Sequence, residues 1–142
     1  RNMLKIAVID AQGGGFGKAI VEGLSVLGDK VDILALGTNV YATMAMRKAG
    51  AHRYATGENA ICFNADKVDI IIGGIGILAS NSMLGEITPA IAHAVSSSHA
   101  KKIVIPFGKC NITVPGISQY TLKELVDMAV ETVVRHMEEQ DG

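Results

Sequence analysis

Four of the five residues from Gly13 to Gly17 are glycines, and no other feature constrains the fold of this chain as tightly. The run before them, Leu4-Lys-Ile-Ala-Val-Ile-Asp10, is apolar and rich in β-branched residues, which predicts a strand buried on both faces. After them Phe16, Ile20, Leu24 and Leu27 recur at helical spacing, and Gly28 is a natural stop. Strand, glycine loop and helix in this order open a nucleotide-binding α/β unit. Glycine has no Cβ to hold a ligand off the backbone, and the exposed N–H groups of a helix start favour an anion.

The rest of the chain repeats the alternation. Val31–Leu36 is a second strand; Thr38 is expected to cap a helix from Val40 to Lys48 that stops at Gly50. His52–Ala55 is a short edge strand, and Thr56 is expected to cap a brief helix ending near Asn64. Val68–Ile72 is a central strand. Glu86–Ser97 is a helix with Pro89 in its first turn, where a missing N–H costs little, and Lys102–Pro106 is the fifth strand. Phe107–Gln119 has no regular pattern. Thr121 and Glu124 form a capping box for a last helix whose core stripe is Leu122, Leu125, Val126, Ala129, Val133 and Met137. Continuously apolar strands alternating with helices imply a parallel sheet covered on both faces. The expected fold is a single doubly wound, Rossmann-like α/β/α sandwich of about five strands.

One domain is expected over residues 3–140, with Arg1-Asn2 ahead of Met3 an added remnant. Aromatic residues make up 4% of the chain and Trp is absent, so Ile, Val, Leu, Ala and six Met must fill the core. A net charge of −1 with no basic run beyond two residues argues against a nucleic-acid partner. The longest apolar run, Ile70–Ala79, is about half the ~20 residues of a membrane span and contains three glycines. No membrane partner and a cytoplasmic location are expected. Cys62 and Cys110 show no paired spacing, and the four histidines show no H-x-x-x-H pairing, so neither a disulfide framework nor a metal site is expected. Cys62 falls on an apolar helix turn and is read as core.

Loops leading into the strands are short and solvated; loops leaving them are longer and rich in Gly, Asn, Ser and Thr. Ligands of open α/β sheets bind beyond the carboxyl ends of strands. The expected site therefore comprises Asp10, Gln12, Gly13, Gly14, Gly15, Phe16 and Gly17, then Gly37, Thr38 and Asn39, then Gly73, Gly74 and Asn81. A dinucleotide fingerprint would put glycines at 12, 14 and 17, but position 12 is Gln, and the second strand ends without the acidic residue that meets ribose hydroxyls. This counts against NAD in its usual pose and leaves NADP, held through Thr38, Asn39 and Arg53, or another nucleotide. Gly14-Gly-Phe-Gly-Lys18 resembles a short P-loop, but Ala19 stands where Ser or Thr would hold magnesium, which counts against ATP hydrolysis. Gly14 takes the middle-glycine role, with Gly14→Val expected to abolish ligand binding and, if its φ is negative, to affect stability less. Gly17 is the glycine expected to pack helix against strand.

The segments Ile6–Lys18, Ala35-Leu-Gly-Thr-Asn39, Ala55-Thr-Gly-Glu-Asn-Ala60, Asn81–Pro89 and Lys109-Cys-Asn111 together resemble a family of short bacterial proteins classed as a domain of unknown function with a Rossmann-like fold. The resemblance runs from Leu4 to the last helix and implies the fold, with a nucleotide-type ligand by analogy only. The functional expectation is binding of a nucleotide or other small phosphate-bearing metabolite at the glycine loop. Two alternatives stay open: an enzyme acting on a small metabolite with Asn81, Glu86 and Cys110 in the same cleft, and a structural subunit with a vestigial site. A homodimer is also expected. On the Val40–Ala49 helix, Met44 and Met46 lie nearly opposite at ~100° per residue, and one sheet face can bury only one of them.

Overall fold

The structure, a computed structural model, describes residues 3–106 and 111–141. Five parallel strands, β1 (Leu4–Asp10), β2 (Val31–Gly37), β3 (Arg53–Thr56), β4 (Ile70–Gly74) and β5 (Lys101–Ile105), form one sheet in the order β3-β2-β1-β4-β5. The helices are α1 (Gly15–Leu24), α2 (Val40–Ala49), α3 (Glu58–Asn64), α4 (Pro89–Ser97) and α5 (Leu122–Asp141). Strand side chains alternate between two cores. Ile6 and Val8 pack beneath α1, α2 and α5 with Ile20, Leu24, Met46 and Val126, whereas Ala7 and Ile9 face α3 and α4 with Ile61, Ile91 and Val95. This is the expected doubly wound sandwich, and β1 and β4 flank the point where strand order reverses.

Side chains at several helix starts serve tertiary partners instead of the expected caps. Asn39, not Thr38, caps α2, its Oδ1 accepting from the Ala42 N–H at 2.9 Å. Gly57 stands at the start of α3, and the Thr56 hydroxyl lies 2.7 Å from that of buried Thr43 on α2. The helix expected from Glu86 begins at Pro89, with Thr88 as its cap (3.2 Å to the Ile91 N–H), so Glu86 lies ahead of it in a turn. Four of the turn's residues, Asn81, Met83, Leu84 and Gly85, have φ between 56° and 89°. The expected capping box of α5 is present: Glu124 accepts from the Thr121 N–H at 2.9 Å, and Thr121 Oγ1 accepts from the Glu124 N–H at 3.1 Å.

Candidate functional site

The glycine loop leaves β1 and starts α1, and its four glycines divide into two kinds. A Cβ at Gly14 would lie 2.7 Å from Ala42 Cα, and one at Gly17 would lie 2.7 Å from Met46 Sδ and 2.8 Å from Asp10 Cβ. Both are packing positions that let α1 close on α2 and on β1. Gly14 also has φ 78°, so the condition set for a small stability effect there is not met, and backbone conformation and packing both call for glycine at this position. Gly13 and Gly15 differ: no atom lies within 4 Å of where a Cβ would be at either, and both are exposed. Gln12, which stands in place of the fingerprint's first glycine, has φ 52°, the left-handed region that glycine occupies without strain.

Glu86 sits across this loop. Its Oε1 accepts from the Gln12 N–H (2.8 Å), the Thr38 hydroxyl (2.7 Å) and Asn39 Nδ2 (2.9 Å). Asn39 Nδ2 also donates to the Gln12 carbonyl at 3.0 Å, which ties the exits of β1 and β2 together. Because Asp10 and Gly37 are level in the parallel ladder, Gln12 and Thr38 emerge side by side and one carboxylate reaches both. Partial burial pushes the Glu86 carboxyl up, but its three donors outweigh that and hold it below its ordinary value.

Asp10 lies at the foot of the loop, 5% exposed, with Oδ2 accepting the Gly17 N–H at 2.6 Å. Burial raises its pKa; the Gly17 and Ala11 N–H groups pull the other way, and the Glu86 charge adds to the rise. A raised folded pKa means that the native state still holds the proton where the unfolded chain has lost it. Stability therefore falls as pH climbs from about 3.9 through the folded value. Asp10→Asn retains an acceptor for Gly17 and carries no charge. Thermal melts of this variant between pH 4 and 7 are expected to lack that decline and to match or exceed wild type at pH 7. Asp10→Ala strands the Gly17 N–H and is expected to cost about 1–3 kcal/mol.

Of the other expected site residues, Gly37, Gly73 and Gly74 are buried. A Cβ at Gly37 would meet the Thr43 backbone N at 2.6 Å, at Gly73 the Ile9 carbonyl at 2.8 Å, and at Gly74 the Phe16 ring at 3.2 Å. Close packing favours glycine at Gly37 and Gly73, and more weakly at Gly74. Asn81 is exposed in the left-handed turn, where its carbonyl accepts the Gly85 N–H at 3.1 Å. Arg53 pairs with Asp32 at 3.0 Å, level with Leu34 and three residues short of the strand exit. Cys110 lies outside the described residues. Cys62 packs partly buried against the core under α3 and α4, where burial, then the Glu58 charge, push its thiol up. Among the described residues, no three His, Cys, Asp or Glu side chains converge as a metal site would require, and no helix is long and apolar enough to cross a membrane.

A cavity of about 590 Å³ opens at the opposite edge of the sheet, between the start of β1 and the end of α5. Asp29, Asp69, Glu138 and Asp141 stand in its wall with Lys30 and His136.

The family model described as Domain of unknown function (DUF3842) matches residues 5–138, and the chain belongs to that family. No curated protein matches the sequence. Among solved structures, an arsenate reductase in the phosphate binding state is 18% identical with a TM-score of 0.50, over 94% of this chain and 98% of that one. A universal stress protein in complex with cAMP is 16% identical with a TM-score of 0.44, over 73% of this chain and 98% of that one.

Proposed function

We propose that this member of the DUF3842 family binds a small phosphate-bearing ligand, a nucleotide or a related metabolite, over Gly13 and Gly15. One observation carries the reading. Two of the four loop glycines have neither a positive φ nor a neighbour that a side chain would strike. The fold does not require glycine at either, whereas a ligand held against the backbone does. The position supports the same reading: the loop lies at a strand exit beside the switch point, ahead of the positive end of α1. The likeness to the arsenate reductase fixes the fold; the loop carries the ligand class.

A thermal-shift panel of nucleotides, dinucleotides and coenzyme A tests it. A ligand present at 100 times its Kd adds about 2.7 kcal/mol of stability. A panel without any shift up to millimolar ligand contradicts the proposal.

A homodimer through α2 is also proposed. Met46 is fully buried in the core, and Met44, on the opposite side of the helix, stays half-buried and available to a second copy. Sedimentation at tens of micromolar is expected to show a dimer; a clean monomer contradicts it.

A further inference from the structure

The exit of β2 departs from the dinucleotide-binding arrangement. In the dinucleotide-binding arrangement an acidic residue at the end of the second strand accepts from the ribose hydroxyls, next to the glycine loop. Here β2 ends in Gly37-Thr38-Asn39, with no acid. The structure brings a carboxylate to that place from elsewhere. Glu86, from the turn after β4, is hydrogen-bonded to the backbone of the glycine loop and to both polar side chains that follow β2.

We propose that Glu86 is the ribose-binding carboxylate of this chain, and that its ligand is a nucleotide with a free 2′,3′-diol. This rests on the reading of the glycine loop as a phosphate site, and deepens it by naming the sugar.

Three features point to a hydroxyl donor as the partner of Glu86. First, all three donors fall on Oε1, and among the described residues Oε2 accepts none. The oxygen that is held fixes the plane of the group, and the other is left to accept. Second, the position fits a sugar. Glu86 Oε1 is 2.8 Å from the N–H of Gln12, the residue before Gly13, and 2.7 Å from the Thr38 hydroxyl, so the carboxylate borders the loop on the side of the β2 exit. Third, the charge discriminates. A carboxylate favours a neutral diol and repels a 2′-phosphate, and among the described residues no Lys or Arg is hydrogen-bonded or paired at Gly37-Thr38-Asn39 to accept such a phosphate. Arg53 is bound to Asp32 three residues back. This argues for unphosphorylated ribose over the NADP considered from the sequence. Leu84, 96% exposed and two residues before Glu86, is an apolar surface that a base could cover.

The test is calorimetric titration of the full chain with ADP, 2′-deoxy-ADP, adenosine 2′,5′-bisphosphate and inorganic pyrophosphate, then with the guanine counterparts. The expected result is a ribonucleotide bound at least tenfold more tightly than its 2′-deoxy form, with the 2′-phosphorylated form weaker still. In Glu86→Gln the ribo and deoxy forms are expected to converge to within about threefold, because an amide is a poorer acceptor from a diol than a carboxylate. Equal affinity of ribo and deoxy forms in the wild-type protein, or tighter binding of the 2′-phosphorylated form, overturns the ribose assignment. Pyrophosphate binding in that case leaves the loop as a phosphate site. Failure of pyrophosphate and every nucleotide to bind at millimolar concentration overturns both. The comparison of ligands on wild-type protein needs no variant to fold.

Discussion

Gly14→Val is expected to lower the melting temperature by on the order of 10 °C. The residue has φ 78°, and a Cβ there would lie 2.7 Å from Ala42 Cα and 3.0 Å from Ala45 Cβ on α2. Strain at a left-handed backbone adds about 1–3 kcal/mol. Overpacking against a rigid helix adds about 1–3 kcal/mol more. At roughly 3 °C for each kcal/mol in a domain of this size, the sum gives the expected shift. Ala42 is backbone at the point of contact and cannot rotate away, so Gly14→Ala is expected to lose much of the same stability. Circular-dichroism melts of the two variants beside wild type measure this. A Gly14→Val melting temperature within 2 °C of wild type would mean that α1 and α2 separate without cost.

Gly13→Val and Gly15→Val are expected to do the reverse. Neither meets an atom within 4 Å, and neither glycine needs a positive φ, so both variants should melt within a few degrees of wild type. Valine is also a better helix residue than glycine at Gly15, by a few tenths of a kcal/mol. Branched carbons standing over the loop would hold a phosphate away from the backbone N–H groups. An affinity loss of at least a hundredfold is expected for whichever nucleotide shifts the wild-type melt. Calorimetry on both variants checks it. Unchanged affinity in both would reduce the loop to a structural corner.

The contrast between these glycines shows where sequence pattern ends and packing begins. The strands were legible because buried parallel strands are predominantly apolar, and Leu4–Asp10, Val31–Leu36 and Val68–Ile72 carry charge only at Lys5, Asp10, Asp32 and Asp69, at or next to their ends. The boundaries of β4 shift by two residues, to Ile70–Gly74, because its glycines continue the ladder beside β5. Caps were less legible. Thr38 and Thr56 are good cap residues by type, but each hydroxyl has a stronger tertiary partner, Glu86 and Thr43 respectively. The sign of φ at Gly14 follows from where α2 lies, which no spacing within the loop encodes.

Glu86 was the least legible of the site residues. It looked like an acid at a helix start, where it would favour the macrodipole. The chain breaks that pattern with Thr88-Pro89, which starts α4 three residues later and leaves Glu86 in a left-handed turn. The bond to Gln12 then spans 74 residues of sequence and exists only because the strand order sets the β4 exit beside that of β1. Gln12 makes the complementary point: a missing glycine in the motif did not mean a missing conformation.

The measurement that tests the phosphate site most directly is a titration of isotopically labelled protein with ADP and with inorganic pyrophosphate, followed residue by residue through the amide resonances. The largest saturable shifts are expected at Gln12, Gly13, Gly15 and Phe16, with Thr38 and Asn39 responding to ADP more than to pyrophosphate. Shifts confined to Met3, Leu4, Lys30 and Asp69 around the cavity at the opposite edge, or none anywhere at millimolar ligand, would contradict it.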